Sequence, residues 1–127
     1  MKLRIKGNSL RLRVTRSELM RLSAGETIEE AIHFAPEPTA VFRYALASSP
    51  ETDQVGIRYR DGEVTVAIAP EQVRAWSEDS QIGIYATLHL GSAGPLEIAV
   101  EKDFACLDGR DEDNQDTFSN PLEGRAC

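Results

Sequence analysis

The chain has 127 residues, a net charge of −7, and 41% hydrophobic and 28% charged residues, which is the composition of one globular domain. This negative charge argues against general binding of nucleic acids or of anionic membrane surfaces, because both need a basic face. No apolar stretch has the length of a signal peptide or of a membrane span, so we expect a cytoplasmic protein whose two cysteines stay reduced.

The first two strands are predicted from strict alternation of apolar and polar residues over 2–6 and 10–14. Between them lie Gly7 and Asn8, which are typical hairpin residues because both tolerate a positive φ. The sequence therefore begins with a β-hairpin.

A helix is predicted over 16–24. Thr15 and Glu18 have the spacing of a capping box, and Gly25 is placed to end the helix in a left-handed conformation. Two further strands complete this first half, over about 27–34 and 40–48.

The second half repeats this hydrophobic pattern at a constant offset of 54 residues. Asp61-Gly62 predicts the second hairpin turn, and Pro70 predicts the start of a helix over 70–77. In this alignment Ile28 and Phe34 correspond to Ile82 and Leu88. The last two strands are expected at about 81–90 and 95–103.

We therefore predict one α+β domain over 1–127, built from duplicated ββαββ units at about 1–48 and 55–102. The eight strands are expected to form an antiparallel sheet or barrel with two short helices. The predicted core consists of Leu12, Val14, Leu19, Leu22, Ile32, Phe34, Val66, Ile68, Val73, Trp76, Ile84, Leu88, Ile98 and Val100.

The charged faces of the strands have two interpretations. If the apolar side fills the interior, the cations face water, as in a half-solvated antiparallel sheet. If the polar side faces inward, the cavity suits a polyanion. A doubled βαβββ order resembles the tunnel of the CYTH triphosphatases in topology alone, and their E-x-E-x-K strand is absent. We favour the solvated arrangement, because burying many unpaired cations is too costly.

Charge is distributed unevenly along the chain. Residues 1–24 contain seven basic residues and one acid, whereas the irregular C-terminal extension over 104–127 is acidic. We expect the segment from Glu101 onward to fold back and place its acids against the basic first hairpin. The candidate binding residues are Glu101, Asp103, Cys106, Asp113, Asp116, Arg11 and Arg13.

The extension also carries a family resemblance. Its residues are Glu101-Lys102-Asp103-Phe104-Ala105-Cys106-Leu107, Glu112-Asp113-Asn114-Gln115-Asp116, Asn120-Pro121 and Cys127. Together with Lys6-Gly7-Asn8-Ser9, this pattern resembles an uncharacterised family of small bacterial proteins. The resemblance covers the whole chain and implies no activity.

Cys106 and Cys127 bracket the acidic segment, and three readings stay open: inert thiols, a shared disulfide or metal site, or a reactive thiol. A divalent metal on these cysteines with His89 is an alternative without spacing support, and no cofactor is predicted. The acidic loop fails the EF-hand template.

The leading hypothesis for function is a small ligand- or partner-binding protein, whose partner is a protein or a small molecule. The alternative is a metal-dependent phosphohydrolase-like enzyme with a charged tunnel.

Overall fold

The computed structural model describes residues 1–78, 80–104 and 116–118. It confirms the predicted α+β class, and both helices lie within one residue of their predicted bounds. In chain order the elements are β1 (Lys2–Lys6), β2 (Ser9–Val14), α1 (Arg16–Ser23), β3 (Ile28–His33), β4 (Val41–Ser48), β5 (Val55–Arg60), β6 (Glu63–Ile68), α2 (Pro70–Glu78), β7 (Gly83–His89) and β8 (Pro95–Lys102).

Helix α1 begins and ends as its sequence predicts. The Thr15 hydroxyl accepts a hydrogen bond from the Glu18 N–H, and the Glu18 carboxylate accepts one from the Thr15 N–H. At the other end Gly25 has φ +94°, and the Glu26 N–H donates to the Arg21 carbonyl. These are the contacts of a Schellman cap, which satisfies the last carbonyl groups of the helix.

The strands form two mixed sheets rather than one antiparallel sheet or barrel. The first sheet has the order β1-β2-β8-β7, the second has the order β3-β4-β6-β5, and they do not close on each other. The β2–β8 and β4–β6 pairs are parallel. The antiparallel prediction is wrong because α1 carries the chain from the first sheet to the second. The two hairpins of one half therefore lie in different sheets, and each inner strand pairs with a strand of the other half.

The two parallel pairs have matching registers. Leu10 lies opposite Ile98 in the first sheet, and Tyr44 lies opposite Val64 in the second. Adding 54 to Leu10 gives Val64, and adding 54 to Tyr44 gives Ile98, so both central pairs join positions that are related by this number.

The same offset fails between β3 and β7. Ile28 pairs with Leu46, and the equivalent buried pair in the second half is Ile84 with Val100. The offset of 54 aligns Ile28 with Ile82, but Ile82 is 45% exposed, and the buried residue that pairs with Val100 is Ile84. The loop between β7 and β8 is two residues shorter than the loop between β3 and β4, and this difference shifts the pairing by two residues.

The core lies between the two sheets and under both helices, which pack against each other. Trp76 is fully buried, and its indole N–H donates to the Ile82 carbonyl at 3.2 Å. The prediction is wrong for Ile32 and Phe34, which are 47% and 70% exposed, because Ile32 lies on the edge strand β3 and Phe34 lies beyond its end. Leu88 is half-buried. The other predicted core residues are buried: Leu12, Val14, Leu19, Leu22, Val66, Ile68, Val73, Trp76, Ile84, Ile98 and Val100.

Candidate functional site

Charged and phenolic side chains meet on the outer face of the first sheet. The Nε atoms of Arg11 and Arg13 on β2 lie 3.3 and 3.6 Å from Oε1 of Glu101 on β8. The hydroxyl of Tyr85 on β7 donates to Oε2 of the same carboxylate at 2.6 Å. Three sequence-predicted residues, Arg11, Arg13 and Glu101, therefore lie together, and Tyr85, which no sequence pattern indicates, joins them.

Gly83 makes room for this cluster. It pairs with Glu101 across β7 and β8. A Cβ atom at Gly83 would lie 2.7 Å from the Val100 carbonyl oxygen, 3.0 Å from Cγ of Glu101 and 3.1 Å from the Tyr85 hydroxyl. Because real Cβ atoms do not approach backbone oxygens this closely, any larger residue would force the backbone at Val100 to shift, and its Cβ would also crowd Tyr85 and Glu101.

The surroundings of the phenol in this cluster raise its pKa. Partial burial, the hydrogen bond to Glu101 and the charge of that carboxylate raise the pKa of Tyr85 to about 12, against an opposing effect of Arg11 and Arg13. Tyr85 is therefore a hydrogen-bond donor at neutral pH, not a base. Together with the two guanidinium groups it holds Glu101 as a fixed acceptor.

The first hairpin presents five cations on the same side of the sheet, and we call these residues the hairpin face: Lys2, Arg4, Lys6, Arg11 and Arg13. Lys2 lies directly opposite Arg13, and Arg4 lies directly opposite Arg11. Four of these residues, with Leu3, line a cavity of about 170 Å³. Within the described residues Arg4 forms no ion pair.

Asp103 connects the end of β8 to the hairpin and to the C-terminal extension. Its carboxylate lies 3.1 Å from Nζ of Lys2, and its N–H donates to the Val14 carbonyl at 2.8 Å. Its own carbonyl accepts from the Phe118 N–H at 2.9 Å. The expected contact between the acidic end of the chain and the basic hairpin is thus present for Asp103, as it is for Glu101.

Asp116 takes a different position, at the N-terminus of α1. Its carboxylate accepts hydrogen bonds from the N–H and the hydroxyl of Ser17, and its carbonyl accepts from the Arg16 N–H. The Ser17 hydroxyl is the main cause of a lowered pKa at Asp116. The expectation that this acid contacts the hairpin is wrong, because the unpaired N–H groups of the first helical turn attract it instead.

Phe118 anchors the described part of the extension. Its ring contacts Phe104 edge-on at 6.0 Å between centroids, and it lies 5.4 Å from the Arg16 guanidinium and 5.1 Å from the Lys102 ammonium. This aromatic contact with two cations was not predicted from the sequence.

The remaining predicted site residues are not brought into this cluster. Cys106, Asp113 and Cys127 lie outside the described residues. His89 is exposed at the end of β7, opposite Pro95. No group of three or more His, Cys, Asp or Glu side chains in residues 1–78, 80–104 and 116–118 is placed to hold a metal ion. The charged strand faces point outward from two open sheets, so the described chain forms no charged tunnel.

Residues 1–122 match the model of a family of unknown function, DUF7009, and the chain belongs to that family. This agrees with the resemblance to an uncharacterised family read from the sequence. No curated protein and no solved structure gives a significant match. Across the part of the chain that the structure describes, no helix is long and apolar enough to cross a membrane.

Proposed function

We propose that the protein is a binding module that recognises an acidic, extended segment of a partner protein through the hairpin face. The observation that carries this proposal is the direct opposition of like charges, Lys2 with Arg13 and Arg4 with Arg11. Like charges at directly opposed positions destabilise a hairpin, so their presence on an open face favours a role in binding anions.

The protein's own acids neutralise this face only in part. Glu101 approaches Arg11 and Arg13, and Asp103 approaches Lys2. Arg4 keeps its five N–H donors available within the described structure, with the small cavity beside it. A carboxylate entering there would separate the two opposed pairs and complete their neutralisation.

The position of β1 indicates an extended partner. β1 is an edge strand, so its outer backbone groups have no strand partner among the described residues. Its cations occupy alternate positions and are therefore about 6.8 Å apart, twice the rise of a strand residue. A peptide strand with an acid at every second position has the same spacing and can add to this edge by backbone pairing.

Repulsion between like charges also argues against the simplest alternative partner for the β1 edge, which is the β1 strand of a second copy of the protein. Two copies paired at this edge would bring Lys2, Arg4 and Lys6 close to the same cations of the other copy. Natural edge strands use such charged side chains to avoid self-association. The net charge of −7 does not prevent binding of an acidic segment, since salt screens charges beyond about 8 Å at physiological ionic strength.

The test compares three peptides of equal length: one that alternates glutamate with threonine, one with the same composition but the glutamates in a single block, and one with lysine in place of glutamate. We expect the alternating acidic peptide to bind most tightly and to weaken with added salt, as measured by titration calorimetry. Arg4→Glu should weaken binding by about tenfold or more, while Arg74→Glu on the exposed side of α2 should not. Equal binding of the lysine peptide, or no effect of Arg4→Glu, would overturn the proposal.

We also infer that the chain is an internal duplication of ββαββ units, over 1–48 and 55–102, in which the second hairpin of each unit lies in the opposite sheet. The matched registers of the two parallel pairs support this inference. If it is right, superposing the two units after allowing the two-residue shift at β7 should align all four strands of each.

A further inference from the structure

The outer face of the second sheet contains a trough. Ala45 on β4 and Thr65 on β6 lie opposite each other and are only 2% and 6% exposed, although they are on the side away from the core. They are sheltered from solvent because their own side chains are short and the side chains beside them are long. Arg58 and Arg60 on the edge strand β5 and Arg43 on β4 rise beside them.

This trough is a groove of about 470 Å³, which is within the usual size of sites for small molecules. It is lined by Arg43, Arg58, Arg60, Asp61, Glu63 and Thr65.

The three guanidinium groups have few partners. The Nε atom of Arg43 lies 3.6 Å from Glu29, and that of Arg60 lies 3.8 Å from the almost fully exposed Asp61. Arg58 forms no ion pair within the described residues. Several N–H donors in rigid fork geometry therefore face one groove, and this geometry matches the oxygens of a phosphate group.

We propose that this groove binds a small hydroxylated phosphate monoester, of the sugar phosphate class. The guanidinium groups of Arg43, Arg58 and Arg60 hold the phosphate, and the carboxylates of Asp61 and Glu63 accept hydrogen bonds from hydroxyl groups. The Thr65 hydroxyl, 3.4 Å from Glu63, adds a polar group at the floor.

Asp61 and Glu63 favour a ligand with one phosphate group over a ligand with several. A chain of phosphates, or a nucleic acid, would place further negative charge beside Asp61 and Glu63, which repel it. In a sugar phosphate, the single phosphate group can contact the arginines, while the hydroxyl groups of the neutral sugar donate hydrogen bonds to the two carboxylates. The site is on the opposite sheet from the hairpin face, and it stands independently of the peptide-binding proposal.

The experiment titrates the full-length protein with glucose 6-phosphate, glucose and inorganic phosphate, and follows backbone amide shifts by NMR. We expect saturable shifts on β4, β5 and β6 with glucose 6-phosphate, at least tenfold weaker affinity for inorganic phosphate, and no binding of glucose. Arg58→Ala should weaken binding by about tenfold or more, because one of the three phosphate ligands is lost. The matched control Arg74→Ala removes an exposed arginine from α2 and should leave binding unchanged.

Thr65→Val is a second test, since it keeps the shape of the groove floor and removes the hydroxyl. It should lower affinity for glucose 6-phosphate while thermal unfolding shows a folded protein. The proposal is overturned if none of the three probes gives saturable shifts, if the shifts fall elsewhere in the chain, or if Arg58→Ala binds as tightly as the parent.

Discussion

Tyr85 and Glu101 lie on neighbouring antiparallel strands, and the phenol hydroxyl donates a 2.6 Å hydrogen bond to the carboxylate. Because the pKa of Tyr85 is raised to about 12, above its ordinary value of 10, the neutral phenol stabilises the fold. The sign follows from linkage: this contribution is complete below pH 10 and is lost as the pH rises from 10 to about 12.

We therefore expect Tyr85 to ionise near pH 12 when absorbance at 295 nm is followed against pH, and Tyr44, whose pKa is also raised by burial, to give a separate step that Tyr85→Phe leaves in place. Tyr85→Phe should remove the step near pH 12, whereas Tyr59→Phe, which removes an exposed phenol from β5, should keep it. A parent protein and a Tyr85→Phe variant with the same step near pH 12 would contradict the contact with Glu101.

The sequence predicts the elements well because local chemistry determines them. Thr15, Glu18 and Gly25 set the ends of α1, and Asp61 and Gly62 make a turn in which both have positive φ. Alternation of apolar residues identifies the face that each strand buries, but it carries no information on which strand lies beside it. The parallel β2–β8 and β4–β6 pairs join residues far apart in sequence, and local signals do not report them.

The residues of the candidate site divide in the same way, into those that sequence signals predict and those that depend on strand pairing. Charge asymmetry between the chain ends was enough to select Arg11, Arg13 and Glu101. Tyr85 required knowledge of the β7–β8 register, which the ungapped offset misplaces by two residues. The groove on the second sheet has a sequence signal in retrospect, since the short side chains of Ala45 on β4 and Thr65 on β6 occupy outward positions, and β5 beside β6 carries Arg58 and Arg60. This signal is readable only once β4 is known to pair with β6.

Trp76 should be the most costly single residue to truncate. Its side chain is fully buried between α2 and the sheets, and its indole N–H is satisfied by the Ile82 carbonyl. We expect Trp76→Ala to lower the free energy of unfolding by about 3–5 kcal/mol in urea titration, through lost apolar burial and a cavity. Met20→Ala on the exposed side of α1 is the control, and it should cost less than about 0.5 kcal/mol. A loss below about 1 kcal/mol for Trp76→Ala would mean that the indole does not fill the core.

Glu18 should make stability depend on pH in the acid range. Burial acts to raise its pKa, but hydrogen bonds from the Met1 ammonium and from Thr15, and the charge of that ammonium, lower the pKa below its ordinary value of 4.5. A lowered pKa means that the ionised carboxylate stabilises the fold above pH 4.5, and this contribution is lost as the pH falls below that value.

The matching variant is Glu18→Gln, which keeps a capping side chain and removes the charge. We expect it to be about 0.5–1 kcal/mol less stable than the parent at pH 7, with the difference shrinking below pH 4.5. Glu26→Gln, beyond the end of α1, should change stability little at either pH, since Glu26 forms only an exposed pair with Arg21. A pH-independent difference for Glu18→Gln would argue against the ammonium contact.

Phe118 tests whether residues 116–118, the described part of the C-terminal extension beyond Phe104, pack on the folded domain. Its ring packs on Phe104 between two cations, and its N–H donates to the buried Asp103. Phe118→Ala should lower the free energy of unfolding by about 1–2 kcal/mol, less than for a fully buried phenylalanine because this ring is only half-buried. Phe34→Ala removes a ring that is 70% exposed, so it should have a much smaller effect.

Hydrogen exchange distinguishes a segment around Phe118 that packs on the domain from a free segment that binds a partner. In the parent protein the Phe118 amide should be protected, because it is hydrogen-bonded to the Asp103 carbonyl. In Phe118→Ala the amide at this position should exchange faster, and the Arg16 amide, which donates to Asp116, should lose protection with it. If the parent exchanges freely at both amides and Phe118→Ala is as stable as the parent, the segment is not docked, and its contacts with α1 and β8 do not contribute to the fold.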